Sequence, residues 1–461
     1  MNASADLHAD VCVVGGGPAG AACALRLAQL GHDVLLVERA PRGRPHVGES
    51  LPPSVLPWLD QLGVRGAVEA AGFLRPRGAL VQWDGGLRDS SDEAGGEPGF
   101  QVDRARFDAL LLEAAGAAGA NVLHGISALT PLREAQGVRV PLADGRVVLA
   151  RWLVQATGRR AGEHAGVRTA ALYAYWDGHG IADPRTRVEA GDEAWYWGAP
   201  LPNGSFNATV FVDAARCTGM DPVHREAWYR ALLAQSRLLA PCLQGRPREA
   251  VRVCDATPRQ DPQPIDERVL KVGEAAFSID PLSSQGVQAA LRSAWQAAAC
   301  VHTMAHRPES TALAIAFYRE QVHAAAARHA RLAGGFHAAA ARARGTAFWR
   351  ARAGAAGTEV RSPPPLPALD ALVCLDPTAG WRRVPSLQGP FIVEAEALMH
   401  PALEQPMSQL GPWPLARLLS TLREPRPVAE LLRVWGAECG DEAAVQMLTL
   451  LWRQGIVGSA A

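Results

Sequence analysis

Apolar positions along the chain change period several times, and each change marks an element. Val11-Cys12-Val13-Val14 is an uninterrupted apolar run with the length of a strand buried on both faces. AACALRLAQL, from Ala21 to Leu30, then takes helical spacing and stops at Gly31. Asp33-Val34-Leu35-Leu36-Val37-Glu38 reads as a second strand that ends in an acid. Farther along, Trp195 and Trp197 stand two apart, the spacing of same-face strand residues. Arg268 to Val272 gives a further strand, and the run after Gly286 a helix. Residues 310–357 are alanine- and arginine-rich and helical in pattern. Beyond them Ser362-Pro363-Pro364-Pro365-Leu366-Pro367 reads as a stiff linker. The chain ends in three helix-like runs, LARLLSTL, PVAELLRVW and EAAVQMLTLLWRQGIV, separated by Pro425 or Gly440, with Asp441 the expected N-cap of the last.

Strand and helix alternate at the start, which predicts an α/β fold with a doubly wound, Rossmann-like domain. Between the first strand and its helix lies Gly15-Gly16-Gly17-Pro18-Ala19-Gly20, a G-x-G-x-x-G turn. Gly15 permits the tight turn, Gly17 lets the backbone approach a pyrophosphate, and Gly20 allows close packing of helix on strand. Pro18 and Ala19 open the helix whose N-terminus faces the phosphates, and Glu38, followed by Arg39, can accept from a ribose hydroxyl. The turn alone is common. With its strand, helix and acid in place it predicts a bound dinucleotide.

Composition narrows the function further. A chain of 461 residues calls for two or three domains, and 48% hydrophobic with 20% charged residues is a globular balance. Basic and acidic residues are equal at 46 each, so the field expected of a nucleic-acid binder is missing. Eight cysteines without a CxxC pair suggest neither a disulfide framework nor a zinc site, and no metal is expected. MNASADLHAD has neither a basic n-region nor an apolar h-region, and no apolar run reaches spanning length. The expectation is a cytoplasmic protein with no membrane partner.

Four further stretches resemble motifs of the FAD-dependent monooxygenase and tryptophan-halogenase superfamily. They are Val47-Gly48-Glu49-Ser50-Leu51-Pro52, Gln101 to Asp108 (QVDRARFD), Ala156-Thr157-Gly158-Arg159, and Val272-Gly273-Glu274-Ala275-Ala276 followed by Ile279-Asp280-Pro281-Leu282 and Ser283-Ser284-Gln285-Gly286-Val287. They run in the family's order over roughly residues 10 to 300. The resemblance implies FAD, with Ser50, Arg104, Gly158, Glu274, Gln285, Gly286 and Val287 joining the glycine turn, Glu38 and Arg39 around it. Position 274 is usually aspartate in that family, so the longer carboxylate is a departure. No second G-x-G-x-x-G is present, nor an Asp-Gly at 157–158. The electron source implied is an external flavin reductase or transiently docked NAD(P)H.

The same resemblance implies this organisation: an FAD-binding domain in two parts (1–165 and 251–300), a mostly antiparallel substrate sheet (166–250), a helical region (301–361), the linker (362–368) and a small winged-helix-like domain (369–461). From Gly411 onward that last domain carries five arginines and five acidic residues, which argues against DNA and for peptide or protein docking, or internal packing.

Trp195-x-Trp197-x-Ala199-Pro200 resembles the W-x-W-x-I-P of halogenases, and Trp195, Trp197 and Pro200 are expected at the substrate pocket; two packing residues of a strand are the plainer alternative. Family halogenases pass the halogen through a lysine amine. Lys271 is the one lysine in this chain, and the FLRPRGALVQWDGG segment offers Arg75 and Arg77 instead. A guanidinium stays protonated and is a poor substitute. The remaining chemistry is oxygenation through a flavin C4a-hydroperoxide, with Glu49 and His46 as candidate proton acceptors. Both also fit a purely loop-forming role. The nearest resemblance is to flavoprotein monooxygenases that mature tryptophylquinone cofactors by hydroxylating a tryptophan in a partner polypeptide. A small-molecule aromatic hydroxylase, an unorthodox halogenase and a polyprenyl reductase are the alternatives.

Overall fold

Strand β1 (Leu7–Val14), helix α1 (Pro18–Gln29) and strand β2 (Val34–Glu38) form the expected strand-turn-helix-strand unit in the computed structural model, which describes residues 6–41, 46–90, 96–159, 166–354 and 365–460. Val11, Cys12 and Val13 are wholly buried because β1 lies inside a seven-stranded sheet. Each such valine contributes about 1.5–3 kcal/mol of burial. Helix α2 (Arg104–Ala117) packs on α1, and strand β3 (Asn121–His124) extends the sheet beyond β2. Strand β4 (Val147–Gln155) pairs parallel with β1 on one side. It pairs parallel with the Val269–Lys271 strand on the other, and antiparallel with Gly137–Pro141. Five parallel strands, β3, β2, β1, β4 and Val269–Lys271, therefore end on one rim, where this fold binds ligands.

A second, eight-stranded sheet is built on β5 (Thr169–Asp177), β6 (Thr186–Ala190), β7 (Trp195–Pro200) and β8 (Phe206–Asp213), all antiparallel along the order β5-β8-β7-β6. It is wider than the 166–250 span. Ala79–Gln82 adds in parallel to β6, Arg88–Asp89 follows it, and Arg252–Asp255 pairs with β5. Those strands come from stretches that the resemblance assigned to the flanking FAD-binding domain. Side chains of one sheet face, Leu172, Ala174, Trp176, Tyr196, Ala208 and Val210 among them, form one core. Those of the other face, with Trp195, Trp197 and Phe211, form another.

Helix α3 (Gly286–His306), the 34-residue α4 (Thr311–Arg344) and α5 (Ala347–Arg352) follow. The chain divides into two compact units, Met1–His302 with Tyr318–Gly357, and Thr303–Phe317 with Thr358–Ala461. The helical region is thus shared between units instead of standing as one block. Of the linker, 362–364 lies outside the described residues, as do the ends at 165 and 361.

In the second unit, helices Leu415–Leu419, Val428–Cys439 and Asp441–Arg453 are backed by a three-stranded sheet of Leu372–Leu375, Arg426–Pro427 and Val457–Ser459, a winged-helix-like set. Gly440, at φ +87°, caps the last helix and Asp441 is its first residue, one place from expectation. A nine-residue hairpin pair, Gly380–Gln388 with Phe391–Met399, was not legible in the sequence. No helix among the described residues is long and apolar enough to cross a membrane.

Candidate active site

The rim of the parallel strands opens into a cavity of about 920 Å³. Val14, Val37, Ala156 and Val272, each at or just beyond a strand end, all line it. The glycine turn explains why the cavity can hold a pyrophosphate. At Gly15 (φ +107°) a Cβ would stand 2.3 Å from the Ala156 carbonyl oxygen, and at Gly20 1.9 Å from that of Gly15. Both positions therefore exclude any side chain. A Cβ at Gly17 would meet nothing within 4 Å, so its backbone faces open space. Gly20 itself lies outside the lining and serves the packing, whereas Gly15, Gly17, Pro18 and Ala19 line the cavity. The Gly16 amide donates to Glu38 Oε2 at 2.5 Å and the Ala40 amide to Oε1 at 2.7 Å. Each oxygen retains capacity to accept again. Arg39 is on the same wall.

The loop after the second strand is fastened by α2. Asp103 caps that helix by accepting from the Ala105 and Arg106 amides, and the next residue, Arg104, is buried beneath the loop. Arg104 donates to the Val47 carbonyl at 2.9 Å and the Gly48 carbonyl at 3.3 Å, while Asp108 holds its other side at 3.0 and 3.1 Å. Gly48 needs its freedom, with φ at +99° and Arg104 Nη1 3.0 Å from a would-be Cβ. Ser50 pairs across to Gln101, whose amide reaches Ser50 Oγ at 3.2 Å.

Glu49 is 3% exposed and is gripped by donors. The Gly48 amide gives to Oε2 at 2.8 Å, the Tyr175 hydroxyl to Oε1 at 2.7 Å, and the Asn207 amide reaches both oxygens at 3.2 Å. Thr209 Oγ1 in turn donates to Asn207 Oδ1 at 3.0 Å. Burial pushes Glu49 above the ordinary carboxylate range, and the bond from Tyr175 pulls it part of the way back. Burial, and then the charge of Glu49, raise Tyr175, so it stays a donor. His46 also lines the cavity, with Nδ1 2.9 Å from the Val47 carbonyl. Burial, and after it Arg104, lower its pKa, which keeps it neutral.

The remaining predicted residues divide. Gly158, Glu274, Gly286 and Val287 line the cavity; Gln285 does not. Glu274 is tied to Arg159 at 2.9 Å, the reach of the longer carboxylate. Ser284 has φ +53°, the one non-glycine residue in the left-handed region among those described, and sits against the cavity at the head of α3. Trp197 is on the wall and its indole N–H has no partner among the described residues. Trp195 and Pro200 are not on the wall. Trp195 lies behind Phe211, stacked on it at 3.6 Å and 6°. Replacing Trp197 with phenylalanine should raise KM about tenfold, a loss of ~1.4 kcal/mol in substrate binding. Replacing Trp195 should instead cost about 1 kcal/mol of stability and leave KM unchanged, which steady-state kinetics and thermal unfolding would separate.

Pattern reading missed Asn207, Thr209 and Phe211 on β8 and Tyr173 on β5, all lining the cavity, and Tyr175 behind Glu49. Their signal was present. Asn207, Thr209 and Phe211 alternate along a strand, and two of the three are polar in a segment buried on both faces.

The arrangement offers a cavity with the glycine turn, Tyr173, Trp197 and Phe211 and one buried carboxylate, Glu49, in its wall. The tryptophan halogenase family matches residues 87–359, and the FAD dependent oxidoreductase family residues 10–47. The chain belongs to the tryptophan halogenase family. It is 30% identical over 386 residues to a tryptophan 2-halogenase of Chondromyces crocatus, covering 74% of this chain and 70% of that protein. Its fold is like that of CmlS, a flavin-dependent halogenase, with TM-score 0.78 at 20% identity over 98% of this chain and 96% of that one. It is also similar to QhpG, a peptidyl tryptophan dihydroxylase essential for tryptophylquinone cofactor biogenesis, at 27% identity and TM-score 0.71 over 97% of this chain and 99% of that one. As a family member this protein is an FAD-dependent oxidoreductase. The close approaches at Gly15 and Gly20, and the open face of Gly17, fit that cofactor.

Proposed function

We propose that this enzyme hydroxylates an aromatic ring, and that the ring is a tryptophan carried on a polypeptide. One observation carries the choice of oxygenation over halogenation. Lys271, the only amine side chain, is tied to Asp261 at 2.5 Å and is absent from the cavity wall. Arg75 and Arg77 do not replace it there. Arg75 stacks on Phe100 and donates to the Pro98 carbonyl, and Arg77 donates to the Gly96 carbonyl. Similarity to QhpG along nearly the whole of both chains supports a peptidyl substrate. The electron source is then a reductase or NAD(P)H.

FAD, when bound, supplies the electrons that activate dioxygen. The chain supplies the rest. Arg104 fixes the 47–48 loop against the cofactor cavity, and the head of α3 presents its amides to the same space. Tyr173, Trp197 and Phe211 form an aromatic wall against which an indole can stack. Oxygen added to an aromatic carbon leaves a proton to be removed from that carbon. Glu49, on the wall and made more basic by burial, accepts it, and Tyr175 and Asn207 hold its oxygens in place.

Lys271→Met separates the readings. Losing the partner of the mostly buried Asp261 costs about 1–3 kcal/mol, so the variant should still fold, hold FAD and oxygenate a tryptophan-containing polypeptide at the wild-type rate. Loss of product formation with FAD retained would return the lysine to the chemistry and favour a halogenase.

A further inference from the structure

Four indoles lead away from the cofactor cavity. Trp197 is on its wall, and Trp195 follows two residues along the same strand face. Trp83 lies 6.2 Å from Trp195, and Trp349 5.2 Å from Trp83, measured between ring centroids. Phe211, on the cavity wall, fills the gap beside Trp195 by stacking on it. All four indoles are under 9% exposed and belong to one cluster of the first compact unit. A packing role asks only that these rings be apolar. It does not ask for four of the most easily oxidised side chains in succession, three of them in ring contact and the fourth, Trp197, two residues from Trp195 on the same strand face.

The indole N–H groups differ along this path. That of Trp197 has no partner among the described residues. That of Trp83 donates to the Phe336 carbonyl at 2.8 Å, and that of Trp349 to the Gly191 carbonyl at 2.7 Å. A hydrogen bond from N–H to an oxygen strengthens when the ring carries positive charge. An electron vacancy is therefore held better at Trp83 and Trp349, the far end of the path, than at Trp197 among the described residues.

We infer that Trp197, Trp195, Trp83 and Trp349 form an electron relay that quenches light-excited FAD and carries the vacancy out of the cofactor cavity. Oxidised FAD excited by blue light takes one electron from the Trp197 indole, so the flavin gains one electron and the indole loses one. Single electrons then pass from Trp195 to Trp197, from Trp83 to Trp195 and from Trp349 to Trp83. No atom moves. Return of the electron from the flavin to Trp349 restores both. The benefit is protective, because excited flavin is removed before it reacts with oxygen or substrate. The inference rests on FAD binding alone and not on whether the reaction is hydroxylation.

Transient absorption of the FAD-loaded enzyme after a blue pulse tests it, with FAD content of each variant measured first. Wild type should show rapid loss of excited flavin and a long-lived indole radical. Trp83→Phe should keep the rapid first step, since Trp197 is still present, and lose the long-lived radical. Trp349→Phe should shorten it likewise, and carries the test if Trp83→Phe fails to hold FAD. Trp176→Phe, an equally buried change on the other face of the sheet, should leave the radical as in wild type. An unchanged long-lived radical in Trp83→Phe or Trp349→Phe, or no indole radical in wild type, would overturn the relay.

Discussion

Glu49→Gln should lower turnover at least about 100-fold with FAD still bound, the range for removing a positioned general base. The amide keeps the shape of the carboxylate and can accept from some of the donors around it. It cannot take a proton from the ring. Folding should suffer little, because three donors face this position and one mismatched contact costs about 1–3 kcal/mol. The pH dependence gives a second check. Glu49 acts as a base only when ionised, so the rate falls as pH drops through its pKa, which burial has already raised. Tyr175→Phe removes the bond that lowers it, so the acid limb of the rate profile should move to still higher pH. An acid limb that stays in place would separate Tyr175 from the chemistry. Full activity in Glu49→Gln would remove Glu49 from it altogether.

Gly20→Ala should abolish FAD binding. Its Cβ would stand 1.9 Å from the Gly15 oxygen and 2.9 Å from the Ala156 Cβ. The first of these is backbone, which cannot turn aside as a side-chain tip can. Either the turn opens and loses its phosphate-facing amides, or α1 moves away from β1 and exposes the core. Overpacking of this kind costs about 1–3 kcal/mol and sometimes more. The variant should purify without the yellow flavin spectrum, or not in soluble form. Gly17→Ala should fold, since its Cβ meets nothing within 4 Å of protein, but bind FAD more weakly. Flavin absorbance per protein, with a melting curve, would check both. A yellow, stable Gly20→Ala enzyme would contradict the packing.

The cofactor end of this site was readable from residues because one local turn carries it. G-x-G-x-x-G, its strand and its acid lie within 38 residues of the start, and their roles follow from backbone geometry alone. The substrate end was readable only in fragments. Glu49 is supported by Tyr175 and Asn207, 126 and 158 residues away, and no local period announces such a meeting. The paired tryptophans were correctly spaced for one strand face, yet spacing could not say that Phe211 would stand between Trp195 and the cavity. The substrate sheet recruited Ala79–Gln82 and Arg252–Asp255 from either side because strand pairing is long-range, while sequence boundaries are local. In the second unit, the hairpin of Gly380–Gln388 and Phe391–Met399 escaped notice because its faces mix charges with apolar residues without clean alternation.

This halogenase-family scaffold, whose one lysine lies off the cavity wall, is proposed to perform oxygenation. The most direct measurement is a single turnover of the reduced, FAD-loaded enzyme with isotopically heavy dioxygen, a tryptophan-containing polypeptide, and chloride and bromide together. The product is read by fragment mass. One or two heavy oxygens on the tryptophan, and no halogen, is the predicted result. Chlorine or bromine on the ring would contradict it.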